Sequence, residues 1–127
     1  PAGGTTPGRE AVLAALNGVL GDHLAATGNP LALPMVLHGP EPGATAGTRV
    51  VVLVHGLCMN HLQWNRAGHD HGAALQRDLG CTPLYLHYNT GLHISTNGQA
   101  LARLLEERLA AGPQPPARLV LIGHSMG

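Results

Sequence analysis

Residues 118–127 read RLVLIGHSMG, an apolar run that breaks into a Gly-x-Ser-x-Gly turn. A serine leaving a strand in this way sits on a sharp bend. Gly123 and Gly127 remove side chains that would collide there, and the Ser125 hydroxyl projects above the sheet edge. His124 and Met126 fill the variable positions, and the Met126 N–H comes to lie beside a carbonyl that the serine would attack. The bare pattern recurs by chance, and a plain Gly-rich turn with a capping serine is its bland alternative. Placement directly behind a buried-strand run is what gives this copy weight.

Outward from that turn, the chain alternates strand and helix. Arg49 to Val54, RVVVLV, is β-branched without alternation, the pattern of a strand covered on both faces. It ends in His55-Gly56-Leu57, where a glycine allows close backbone approach and the Leu57 N–H offers a second donor for a tetrahedral oxyanion. Ala73, Leu75 and Leu79 mark a short helix stopping at Gly80. Pro83 to Tyr88 follows as a strand with Leu84 and Leu86 on one face. Thr96 and Gln99 suggest a capping box ahead of Leu101, Leu104, Leu105 and Leu109, with Gly112-Pro113 closing that helix. The class is α/β, with a mostly parallel sheet, crossover helices and ligands expected outside the carboxyl ends of the strands. Both turns fall at those ends. Before this 49–127 core, residues 1–48 read as a helix, an edge strand and a loop. Thr6-Pro7 opens the helix, Val12, Leu13, Leu16, Leu20 and Leu24 supply its apolar face, and Gly28-Asn29-Pro30 ends it. Leu33 to His38, with Pro34, suits an edge strand, and Gly39 to Gly47 is a Gly/Pro-rich connector.

With the motifs VVVLVHGLCMNHLQW, YLHYNTGLHISTNG and LVLIGHSMG in view, the stretch from Arg49 to Gly127 resembles the N-terminal half of an α/β-hydrolase. It is most similar to bacterial lipase- and esterase-like members, including relatives of the GPI inositol-deacylase branch. The resemblance implies Ser125 as nucleophile, the Leu57 and Met126 amides as oxyanion hole, and an acyl-enzyme route for carboxylic esters, small-molecule or lipid. YNTG and ISTNG look like subgroup signatures with no chemical role attached. In this family the triad runs Ser, then Asp or Glu, then His, whereas only Met126 and Gly127 follow Ser125 here. The chain therefore reads as a fragment stopping at the nucleophile elbow, inactive by itself. In the family the serine strand is central, so the isolated chain is expected to expose an unpaired edge. An acyltransferase of the same fold shares every feature named. A non-catalytic α/β-hydrolase-like interaction protein is the reading from a different class. Nucleotide binding is disfavoured, because no phosphate loop follows a strand.

Composition narrows the field further. The 127 residues suit one domain, 44% are hydrophobic, and seven Arg balance seven acidic residues without any Lys. A neutral chain with only Trp64, Tyr85 and Tyr88 as aromatics is a poor partner for nucleic acid. The longest aliphatic run, Val50 to Val54, is far too short to span a bilayer. The chain opens at Pro1 with no visible secretory feature, which leans the reading toward the cytoplasm. Nine His raise the question of metal. The densest local group is His69-Asp70-His71, but no third ligand stands at a recognisable spacing, so neither metal nor cofactor is expected. Among the remaining histidines, His55 is expected to brace the oxyanion bend and His124 to shape the elbow, while His61, Trp64 and His93 are candidate acyl-pocket residues. Cys58 and Cys81 belong to opposite ends of the sheet and are expected as free thiols.

Overall fold

In the computed structural model, which describes residues 6–41, 48–112 and 114–127, the Arg49–Val54 run forms strand β2. Val50 to Leu53 are at most 2% exposed, and the two faces explain the missing alternation. Val50 and Val52 pack with Leu37, Leu84, Leu86, Tyr88 and Leu105 on one side. On the other, Val51 and Leu53 pack with Trp64, Leu75 and Tyr85. A strand buried twice has no solvent face to mark with polar residues.

The elements in order are α1 (Pro7–Ala26), β1 (Val36–His38), β2, a 3-10 turn (His61–Trp64), β3 (Asn65–Arg66), β4 (His69–Asp70), α2 (His71–Leu79), β5 (Cys81–His87), α3 (Ile94–Ala110) and β6 (Arg118–Gly123). The main sheet runs β1-β5-β2-β6, parallel except for the antiparallel β1, while β3 and β4 form a separate hairpin. The mixed α/β expectation with a mostly parallel sheet therefore holds. β1, drawn from the segment before residue 49, joins the same sheet as the core strands. The chain passes through α2 from β2 to β5, then through α3 to β6 on the other flank of β2. Chain direction thus diverges at the carboxyl end of β2, the place where parallel sheets collect ligands.

Several expectations are corrected. α1 begins as read, with the Thr6 hydroxyl accepting from the Arg9 N–H at 3.2 Å and proline in the first turn. Its buried stripe, however, is Ala14, Asn17, Gly21 and Leu24, while Val12, Val19 and Leu20 face outward. The reason is close approach: side chains added at Gly18 and Gly21 would strike Cys58 and Asn89, so only small residues fit that face. The Thr96–Gln99 capping box does not form, because α3 starts at Ile94 with His93 as a cap lacking any side-chain bond. Asn97 instead donates to the Asn89 carbonyl at 3.0 Å, tying the first turn of α3 to the loop before it. β5 begins at Cys81 rather than Pro83. β1 pairs only with residues 85–87, so Pro83 lies where β5 has β2 as its one neighbour. The Arg118–Ile122 run is not buried but forms the edge strand β6, with Leu119, Val120 and Leu121 40%, 41% and 55% exposed; paired to β2 alone, it does present the unpaired edge expected of the isolated chain. The Asn65–Asp70 hairpin, turning on Ala67 and Gly68 with positive φ, was not anticipated. Of the connector expected at Gly39–Gly47, residues 42–47 lie outside the described residues, as does Pro113.

Candidate active site

β2 and β6 are neighbours whose last register pair is Val54↔Gly123, so the two motif turns leave the sheet side by side and at the same level. The elbow is held to β2 by the His124 N–H donating to the Val54 carbonyl at 3.0 Å. Ser125 then takes a φ of +59°, the left-handed region an L side chain avoids at a cost of roughly 1–2 kcal/mol. The flanking glycines have distinct steric reasons. A Cβ at Gly123 would strike the Gly127 carbonyl, and one at Gly127 would strike the Val54 carbonyl and lie 2.7 Å from that of His55. Ser125 and its neighbours 123–127 are exposed.

The His55-Gly56-Leu57 bend abuts this elbow. A Cβ on Gly56 would lie 3.1 Å from Ser125 Cβ and 3.2 Å from the His124 carbonyl, so the glycine makes room for the serine turn. Gly56 N–H donates to Gln63 Oε1 (3.1 Å), Cys58 N–H to Thr90 Oγ1 (3.0 Å) and Met59 N–H to the Gly56 carbonyl (3.1 Å). On the elbow, the Gly127 N–H donates to the His124 carbonyl at 3.0 Å. Among the described residues, the Leu57 and Met126 amides have no acceptor, nor has that of Ser125. Leu57 and Met126 supply the two donors expected to meet an oxyanion.

His55 is fully buried beneath the bend. Its ring stacks on Tyr88 at 4.4 Å, its Nε2 faces the Tyr88 N–H at 3.4 Å, and its Nδ1 lies 3.1 Å from the Gly56 carbonyl. Burial lowers its pKa to about 4; the Gly56 carbonyl opposes that shift, and the His87 and His61 charges add to it. It is a neutral brace. His124 turns its Nδ1 to Gln63 Nε2 at 3.0 Å and its ring edge to Trp64. Among the described residues, neither histidine is hydrogen-bonded to the Ser125 hydroxyl.

The YNTG segment, silent in the sequence, proves to be the clasp of the site. The Tyr88 hydroxyl donates to the His55 carbonyl at 2.8 Å, and Thr90 accepts from Cys58 as described. Asn89 is 2% exposed; its amide donates to the Gly21 carbonyl of α1 at 3.0 Å, and its Oδ1 accepts from Gly91 N–H at 3.0 Å. A Cβ at Gly91 would strike the Asn17 carbonyl. α1 is thereby tied to the 55–58 bend. Of the expected acyl-pocket residues, Trp64 lines a cavity of about 390 Å³ together with His124. His61 lies instead in a cavity with His38 and His87, and His93 caps α3. A small, mainly apolar cavity of about 140 Å³, walled in part by Met126, Gly127, Val54 and Leu101, lies on the α3 side.

Asp70 of the His69-Asp70-His71 group is committed elsewhere. It accepts from the Tyr85 hydroxyl at 2.5 Å and caps α2 through the Ala73 N–H at 3.1 Å. Burial alone would raise its pKa, but the bonds from Tyr85, Ala73 and Gly72 outweigh it and hold the carboxyl below its ordinary range. A different histidine group was missed, His38, His61 and His87. No local spacing could have found it, because its members come from β1, the 3-10 turn and β5. Cys58 and Cys81 are free thiols. Compared with protein-family models, curated proteins and solved structures, the chain finds no match.

Proposed function

We propose that this sequence carries the nucleophile half of a serine hydrolase active site for carboxylic esters, with the α/β-hydrolase arrangement its motifs resemble. The observation that carries the reading is Ser125: exposed, in the left-handed region, at the end of β6 and packed against Gly56 at the end of β2. A non-glycine residue in that conformation persists only where surrounding structure over-determines it, and such sites concentrate where chemistry is done. In this reading Ser125 Oγ attacks the ester carbonyl and the carbonyl oxygen becomes an oxyanion held by the Leu57 and Met126 amides. The alcohol then leaves, giving an acyl-enzyme that water resolves.

A serine hydroxyl needs an adjacent base to act near neutral pH. His55 is buried under the bend, and among the described residues neither it nor His124 is hydrogen-bonded to the Ser125 hydroxyl, so neither serves as arranged here. The 127 residues by themselves are expected to hydrolyse esters at background, and turnover requires an imidazole and a carboxylate from other residues. The test is covalent labelling of the protein at its full natural length with a fluorophosphonate probe, mapped by peptide mass spectrometry. Modification at Ser125, absent in Ser125→Ala, supports the reading. A folded preparation with an unreactive Ser125 refutes it.

A further inference from the structure

On the flank of the sheet away from the elbow, three imidazoles converge. His38 and His87 share one face, because His38 lies opposite Tyr85 and His87 opposite Val36 in the β1–β5 ladder, while Leu37 and Leu86 point to the other face. The 3-10 turn brings His61 between them. Ring centroids lie 4.1 Å apart for His38–His61, 4.8 Å for His61–His87 and 6.1 Å for His38–His87. One nitrogen from each ring falls within 4.8 Å of the other two, and among the described residues this is the sole group with metal-ligand geometry.

The polar inventory asks for a partner. His87 is 7% exposed, and its Nε2 is buried with no hydrogen-bond partner. His61 Nδ1 is orphaned in the same way. Buried polar atoms are almost always satisfied. Two orphaned nitrogens inside a cluster of three basic rings, with no carboxylate bonded to any of them, match neither a core histidine pair nor a salt bridge. All three rings line a cavity of about 600 Å³, with Glu10 and Arg9 of α1 on its wall. Glu10 is near enough for its charge to favour a positive charge on His61 and His87.

We propose that His38, His61 and His87 form a three-histidine site for a divalent transition cation of the zinc class, with a fourth position open to the cavity. The donor set is right, since neutral imidazole suits zinc and its neighbours in the transition series. The reach is right as well. Zn–N bonds of 2.0–2.1 Å put tetrahedral ligands about 3.3 Å apart, so nitrogens within 4.8 Å need close by only about 1.5 Å. His38, exposed on the edge strand, is free to swing and unstack from His61. The ion would pin β1, the 3-10 turn and β5 together; its three ligands include no residue of the Ser125 or Leu57 turns, so the site stands or falls independently of the hydrolase reading.

The test is Zn²⁺ binding to the metal-free chain in competition with a chromophoric chelator, paired with the visible spectrum of the Co²⁺ form. Expected are one ion per chain, four-coordinate cobalt bands, and a melting temperature that rises with Zn²⁺. His38→Ala, which alters an exposed side chain and leaves the far-UV spectrum unchanged, weakens binding roughly tenfold or more. His61→Ala and His87→Ala abolish it, whereas a His69→Ala/His71→Ala double variant binds as the parent does. Absence of binding, a six-coordinate cobalt spectrum, or affinity lost with His69 and His71 rather than with His38 overturns the proposal.

Discussion

Ser125 holds its left-handed φ in a turn so tight that a side chain at Gly123, Gly127 or Gly56 would crowd the neighbouring backbone. Its conformation is a stored cost, so replacing it with a residue indifferent to that region should release the cost. Ser125→Gly is expected to raise stability by about 1 kcal/mol while removing every serine-directed reaction. Ser125→Ala removes the chemistry without that gain. Melting temperatures of the two variants beside the parent check this, and equal stabilities would show the elbow to be unstrained. His55 supplies a second residue-scale prediction. Its pKa falls from an ordinary 6.5 to about 4 on folding. Between those values the unfolded chain binds a proton that the native chain does not. Stability is therefore fully present above about pH 6.5 and falls progressively toward pH 4. His61, also lowered to about 4, and His87, lowered in the same direction, act in the same window in metal-free protein. Thermal melts from pH 8 to pH 4 should show that decline, and His55→Gln should flatten it.

At the scale of elements, α1 is held less by apolar burial than by one asparagine and two glycines. Asn17 is fully buried. Its amide donates to the Leu13 and Leu31 carbonyls at 2.9 Å, and its Oδ1 accepts from the Leu33 N–H at 2.9 Å. The one side chain closes the turn between α1 and β1. Asn17→Ala leaves the Leu33 N–H and Leu31 carbonyl unpaired and is expected to cost about 2–3 kcal/mol, measured by urea denaturation. Because Asn89 binds Gly21 of the same helix while Thr90 and Tyr88 hold the 55–58 bend, a loosened α1 should also raise amide exchange at Gly56 to Cys58. The elements expected between 49 and 123 are present at their places, each cued by local features. Gly80 ends α2 with a φ of +66°, as its position after Leu79 suggests. For β6 the strand and its unpaired edge agree with expectation and only its burial does not, because an apolar composition states what a strand would bury and not what lies beside it.

Across the whole molecule, the weak point is the open side of the sheet. β6 presents Leu119, Val120 and Leu121 at 40–55% exposure, with one flank paired to β2. The chain carries no net charge at pH 7 to keep copies apart. An apolar, unprotected edge on a neutral molecule invites edge-to-edge pairing. The 127-residue chain is expected to self-associate with rising concentration, and Leu121→Lys to shift it toward monomer. Light scattering across a concentration series distinguishes these, and a parent that stays monomeric throughout would contradict the prediction. Among the described residues no helix is long and apolar enough to cross a membrane.

What the sequence determined alone is what depends on neighbours in the chain. The both-faces-buried run at 49–54 required cover on two sides, the GHSMG glycines required a sharp bend, and helix ends followed from Thr6-Pro7 and Gly80. These are matters of local sterics and hydrophobic period, so they can be read in one dimension. Only the tertiary structure decided which amides stay uncommitted, why YNTG stands where it does, that α1 packs through Ala14, Asn17 and Gly21, and that His38, His61 and His87 meet. Each of those depends on strand register and loop closure between residues far apart in the chain. No spacing rule encodes them, because the distances are set by the sheet.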